Sequence, residues 1–121
     1  MLKIRRVALE SALQAARNLY PNEFVGLFRE ERGILSELII APFSDYGSGH
    51  AGFQDFHLPP DPTLVATFHS HPGRSNYPSK GDLLFFSKTK KYHFIACIPF
   101  NAESVKAFNY EGREIGFELV E

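Results

Sequence analysis

The sequence predicts an α+β fold, a mixed or antiparallel sheet flanked by helices. Three observations carry that prediction. Apolar residues Leu9, Ala12, Leu13, Ala16 and Leu19 recur at helical spacing and stop at Pro21. Apolar runs bounded by turn residues follow, with strand character. A second helix start is signalled at Ser79 to Asp82, and three further strand-like runs come after it.

Taken in order, Leu2–Arg5 reads as a short strand and Ala8–Tyr20 as a helix. Glu10, Gln14, Arg17 and Asn18 fall on the helix's polar face, and its small, Ala-rich apolar face suits packing on a sheet better than lying on a membrane. Phe24–Glu30 and Ile34–Ala41 form a predicted hairpin around the turn Glu31-Arg32-Gly33. Pro42–Pro62 is a long loop rich in Gly, Ser, Asp, Pro and His, with a short strand expected near Gly52–His57. Long loops in compact domains are often functional. Leu64–Ser70 is a strand, Gly73–Pro78 a loop, and Ser79–Thr89 a helix. Strands are expected over Tyr92–Pro99, Val105–Tyr110 and Ile115–Glu121, separated by turns at Asn101–Glu103 and Glu111–Arg113.

The length of 121 residues makes one domain, 1–121, the default. Twelve Phe and no Trp point to a Phe-based core. Thirteen basic against fourteen acidic residues, with no basic stripe among aromatics, argue against nucleic-acid binding. A single cysteine, Cys97, excludes an internal disulfide and any Cys-rich zinc site. It lies in the apolar run Phe94–Ile98, where a buried structural thiol is expected. No stretch has the length of a membrane span, and the N-terminus lacks a signal core, so the cytoplasm is the expected compartment.

The chemistry concentrates in His69-Ser70-His71-Pro72, followed by Ser79 and Asp82. Histidines two apart on an extended segment share a face, with Cα atoms about 7 Å apart. Two imidazoles and one carboxylate are the ligand set of a catalytic zinc whose fourth position is left for water. Pro72 is expected to stop the strand after the second histidine, and Ser70 to point away from both. Asp82 falls in the first turn of a helix, where the dipole favours its ionised form. Taken alone, Ser79-Lys80-Gly81-Asp82 is a capping box. Upstream, Glu23 in Pro21-Asn22-Glu23-Phe24-Val25-Gly26-Leu27 is a carboxylate able to move a proton, though by itself it reads as an exposed turn residue.

Together these residues resemble the JAMM, or MPN-plus, metalloprotease family: an upstream Glu, then His-x-His-Pro, then Ser-x-x-Asp. The resemblance runs over nearly the whole chain, which is similar to the compact archaeal single-domain members, the deubiquitinase-like desampylases. Ala66 stands where a Gly is frequent, and Arg29-Glu30 where a small residue is common. Neither is a catalytic position. The resemblance implies a cytidine-deaminase-like core and one zinc per chain held by His69, His71 and Asp82. It implies Glu23 as general base and acid, and Ser79 as hydrogen-bond donor to the oxyanion. It implies as substrate a ubiquitin-like small modifier protein joined through its C-terminal glycine to lysine, with the glycine tail along an open sheet edge.

Two other readings stay open within the family: release of an amino acid from the C-terminus of a sulfur-carrier protein, and a non-catalytic MPN scaffold. The intact ligand set argues against the second. A zinc deaminase would want a Cys-x-x-Cys pair, which one cysteine cannot supply. Oligomeric state is not legible in the sequence. His50, His57, Asp55 and Asp61 are read as loop residues and His93 as a packed or edge residue. Arg74, Asn76 and Tyr77 are read equally as a solvated turn or a groove lining. Phe85 and Phe86 are read as core.

Overall fold

The apolar stripe of the first helix decides how the rest packs. In the computed structural model, which describes residues 1–40 and 61–121, helix α1 spans Arg6–Leu19 and buries Ala8, Leu9, Ala12, Leu13 and Ala16. It leads straight out of strand β1, Leu2–Arg5, without a side-chain cap, and so starts two residues earlier than the apolar pattern suggests. The stripe meets a sheet face built from Phe24, Phe28, Phe68 and Phe94, each at most 1% exposed. Phe28 packs edge-on against Phe68 and Phe94, with ring centroids 6.1 and 5.4 Å apart.

The hairpin forms as β2, Val25–Glu31, and β3, Ile34–Ile40. Its turn narrows to Arg32-Gly33, both in the left-handed region at φ 54° and 81°. Strand β4 is Leu64–Ser70, helix α2 is Lys80–Lys88, and strand β5 is Tyr92–Ala96. A 3-10 turn at Ala102–Ser104, capped by Asn101, replaces the simple turn expected there and leads into β6, Val105–Asn109. Helix α2 covers the other face of the sheet, where Phe85 and Phe86 pack with Val25, Ile95 and Phe108.

With β7 at Glu114–Ile115 and β8 at Phe117–Val120, one eight-stranded sheet among the described residues runs β7-β6-β5-β4-β2-β3-β1-β8. It is mixed: β4 and β5 are parallel, as are β1 and β3 and β1 and β8, while the other neighbours are antiparallel. Two expected strands are corrected, and so is the role of Pro72. The run Ile115–Glu121 is two strands, β7 at Glu114–Ile115 and β8 at Phe117–Val120, divided by Gly116 and lying at opposite ends of the order. The run Tyr92–Pro99 stops at Ala96, because Cys97 and Ile98 turn their N–H groups to Ser104 and Gly73 and Pro99 has none. Strand β4 runs over the expected Leu64–Ser70, so it ends before His71 and Pro72 is not what stops it. The short strand expected near Gly52–His57 lies outside the described residues.

Candidate active site at the head of the second helix

His69 is the penultimate residue of strand β4 and is 1% exposed. Its Nε2 lies 3.0 Å from Thr67 Oγ1, two residues earlier on the same strand face. The same hydroxyl lies 2.6 Å from His93 Nδ1, across the parallel β4–β5 pair, where Thr67 and His93 are in register. His93 Nε2 is 2.9 Å from the Lys90 carbonyl. A carbonyl only accepts, so His93 carries its proton on Nε2 and accepts at Nδ1 from the Thr67 hydroxyl. The Thr67 oxygen in turn accepts Nε2–H of His69, and the His69 ring lone pair is on Nδ1. Burial lowers the pKa of His93 to about 4 and that of His69 to about 3, so both stay neutral. Phe86 stacks on His93 at 4.0 Å, and Phe85 meets the His69 ring edge-on at 5.3 Å.

His71 sits one residue beyond the strand, its N–H held by the Ala96 carbonyl at 2.8 Å. Its ring donates from Nδ1 to the Ser75 carbonyl at 3.0 Å and from Nε2 to Asp82 Oδ2 at 3.1 Å. Burial favours the neutral ring, but the Asp82 hydrogen bond and charge outweigh it and raise the pKa. Asp82 is 2% exposed. Burial opposes its charge, yet the His71 hydrogen bond, the His69 interaction and the Ser79 N–H bring its pKa down to about 2.

The capping box at the start of α2 is formed in both directions. Ser79 Oγ accepts from Asp82 N at 3.1 Å, and Asp82 Oδ2 accepts from Ser79 N at 2.9 Å. The cap uses a lone pair of the Ser79 oxygen. The hydroxyl proton stays available to a further acceptor, and Ser79 is exposed.

Glu23 lies in the turn between α1 and β2, half-buried, and its charge acts on His71. Register explains the proximity. Val25 pairs with His69 in the antiparallel β2–β4 ladder, and Ser70 N donates to Phe24 O at 2.9 Å. Glu23 directly precedes Phe24 and His71 directly follows Ser70, so the two flank that bonded pair. The Ser70 side chain, away from both histidines, accepts Phe24 N–H at 2.7 Å.

Among the described residues no three His, Cys, Asp or Glu side chains form a group ready to hold a metal ion. His71 and Asp82 meet each other, while His69 is turned to Thr67. The donor chemistry nonetheless fits zinc: two imidazoles and an ionised carboxylate. Two ligand atoms at tetrahedral angle around zinc are roughly 3.3 Å apart, close to the 3.1 Å between His71 Nε2 and Asp82 Oδ2. The second nitrogen of His71 is already engaged by the Ser75 carbonyl, as a metal-bound histidine requires.

The remaining candidates divide. Cys97 is buried, with its thiol raised by burial and directed at the Ser104 carbonyl at 3.8 Å. Asn76 donates to the same carbonyl at 3.0 Å and holds the loop before α2 in place. Tyr77 is exposed, with the Lys106 ammonium 5.4 Å from its ring centre, and Arg74 is exposed. Asp61 caps Thr63 and pairs with Arg29, away from the histidines. His50, Asp55 and His57 lie outside the described residues. Thr67 and Ser70 were not singled out by sequence. The one available signal was a polar residue of strand-compatible type on each side of His69.

Among the described residues no helix is long and apolar enough to cross a membrane. The profile of the prokaryotic homologues of the JAB domain matches residues 5–110. A Haloferax volcanii protein named probable metalloprotease is 29% identical over 115 residues, covering 87% of this chain and 71% of that protein. The crystal structure of a JAB1/MPN domain protein from Archaeoglobus fulgidus superposes with a TM-score of 0.80 at 32% identity, over 100% of this chain and 98% of that one. A structure described as JAMM, a metalloprotease-like zinc site in the proteasome and signalosome, gives 0.79 at 33% identity, over 100% and 99%. A Desulfitobacterium hafniense protein, at 21% identity and 0.67, shares the fold.

Proposed function

The chain belongs to the prokaryotic homologues of the JAB domain, a JAMM/MPN metalloprotease-like family, and on that footing we propose that it is a zinc-dependent isopeptidase. Its substrate is a ubiquitin-like small modifier joined through its C-terminal glycine to a lysine amine. The observation that carries this reading is a convergence. The charge of Glu23 acts on His71, and His71 meets Asp82 at the capped head of α2, beside the exposed hydroxyl of Ser79.

His69, His71 and Asp82 would hold the zinc. Bound there, the ion supplies Lewis acidity toward a water and a carbonyl oxygen. Glu23 takes a proton from the attacking water as its oxygen bonds to the carbonyl carbon. It then returns that proton to the amine as the C–N bond breaks. The Ser79 hydroxyl donates a hydrogen bond to the carbonyl oxygen while that oxygen carries charge. The low pKa of Asp82 keeps a carboxylate present at neutral pH, and burial keeps His69 neutral, as ligation requires.

A glycine tail has an edge to lie on. Among the described residues β1 pairs with β3 only at Ile34 and Leu35, so β3 toward Ile40 has no strand on that side. Ile40 aligns with Gly26 and, through it, with Phe68, two strand spacings or about 10 Å away. A peptide there would gain main-chain hydrogen bonds.

The test is a panel of adducts: a modifier joined to lysine, to a peptide through its α-amine, and to a single amino acid. Each is incubated with the zinc-loaded and the chelated chain. Release of lysine from the first by the loaded chain alone is expected. Release confined to the single-amino-acid adduct would replace the isopeptidase by a carrier-processing hydrolase. No release from any adduct by a zinc-loaded chain would leave a scaffold.

A further inference from the structure

We infer that Ser70 is a positioning residue for Glu23, acting through the backbone of Phe24. This rests on the reading of Glu23 as the base. Glu23 belongs to the turn that follows Pro21, two residues before strand β2 begins at Val25. Two hydrogen bonds bridge the gap. Ser70 N donates to Phe24 O at 2.9 Å, and Phe24 N donates to Ser70 Oγ at 2.7 Å. The first continues the antiparallel pairing of Val25 with His69 by one residue. The second is unlike a ladder bond, since a side-chain oxygen takes the N–H of the residue bonded directly to Glu23.

The arrangement uses strand alternation. The two histidines face the site, so the residue between them faces away, and only a short side chain with an oxygen can turn back to the neighbouring backbone. Ser70 is 2% exposed and Phe24 is 1% exposed, so both partners of this bond are out of water. Phe24 is also packed on Phe68 at 5.9 Å, which anchors the far side of the same peptide unit. Glu23 is therefore held on a backbone fixed from the strand that carries His69, and ligand segment and base move as one unit. A base misplaced by about 1 Å can cost about 100-fold in rate.

The test uses Ser70→Ala, which deletes the hydroxyl, and Ser70→Thr, which keeps it. In Ser70→Ala the amide exchange of Phe24 is expected to accelerate and the Glu23 side-chain carbonyl-carbon resonance to move. With the cleaved adduct, kcat is expected to fall about 10- to 100-fold at unchanged KM and one zinc per chain. Ser70→Thr is expected to restore the Phe24 exchange rate, the Glu23 resonance and kcat. An unmoved Glu23 resonance in Ser70→Ala would overturn the inference, as would kcat within twofold of wild type. So would a folded, zinc-loaded Ser70→Thr that stays as slow as Ser70→Ala. If the wild-type chain cleaves nothing, the proposed function fails, and the Glu23 resonance alone decides on Ser70.

Discussion

Thr67→Val isolates one oxygen on which two buried histidines depend. Valine has nearly the shape of threonine, so packing changes little, but the hydroxyl that serves His93 Nδ1 at 2.6 Å and His69 Nε2 at 3.0 Å is gone. Thr67, His69 and His93 are each at most 1% exposed, so water cannot substitute. A buried polar group left without its partner costs about 1–3 kcal/mol. Two such groups give about 2–6 kcal/mol, a large part of the roughly 5–15 kcal/mol that holds a typical domain together. Urea unfolding of the metal-free chain at pH 7.5 measures this, and an unchanged m-value certifies that the folded state is intact. Thr67→Ser keeps the oxygen and should lose about 1 kcal/mol, the worth of a methyl group. A Thr67→Val chain within about 0.5 kcal/mol of wild type would refute the shared-hydroxyl assignment, and equal losses in the two variants would assign the effect to packing.

Three further outcomes follow from the same geometry. His69 and His93 have folded pKa values near 3 and 4, below the ordinary 6.5, so the unfolded chain takes up their protons first. The metal-free chain should keep their contribution above pH 6.5 and lose it as pH falls toward 4, at about 1.4 kcal/mol per pH unit for each histidine. His71, raised rather than lowered, contributes below 6.5 and loses its share as pH rises. A flat urea midpoint between pH 6.5 and 4.5 would contradict the buried neutral pair. Glu23→Gln should reduce cleavage by about 10²–10⁴-fold with zinc content unchanged, and a loss under tenfold would remove Glu23 from the proton path. Gly26→Ala should lower stability by about 1–3 kcal/mol, because an added Cβ would meet Leu38 Cδ1 at 2.8 Å and Phe24 Cζ at 3.1 Å. A thermal midpoint equal to wild type would show that this corner of the hairpin can give way.

What could be read from the sequence was what repeats locally. The stripe Leu9, Ala12, Leu13 and Ala16 fixes α1, and Arg32-Gly33 marks the hairpin, because period and turn chemistry act within a few residues. The capping box of Ser79 and Asp82 was equally local, and it formed while leaving Asp82 in contact with His71. What stayed hidden depends on partners distant in the chain. Thr67 meets His93 26 residues later, and Ser70 meets Phe24 46 residues earlier. Nothing near Thr67 or Ser70 marks them apart from other strand residues. The apolar run after Arg113 reads as one strand, since its pattern continues through Gly116, and only pairing with β6 on one side and β1 on the other divides it. The end of β5 was misjudged for a similar reason. Cys97 and Ile98 have strand-forming side chains, but their N–H groups are claimed by Ser104 and Gly73.

The single residue between β7 and β8 has a consequence for how these molecules behave when crowded. An open sheet has two margins onto which a neighbour's strand can add, and that addition is how fibrils grow. Here the strands at the two margins are consecutive, with Gly116 alone between them. Two residue steps span at most about 7 Å, so the two margins lie side by side, and a neighbour's strand arriving at one meets the other. Cutting the backbone at Gly116 would leave every strand its sequence and its partner. It would also untie two margins that the backbone holds within one residue of each other.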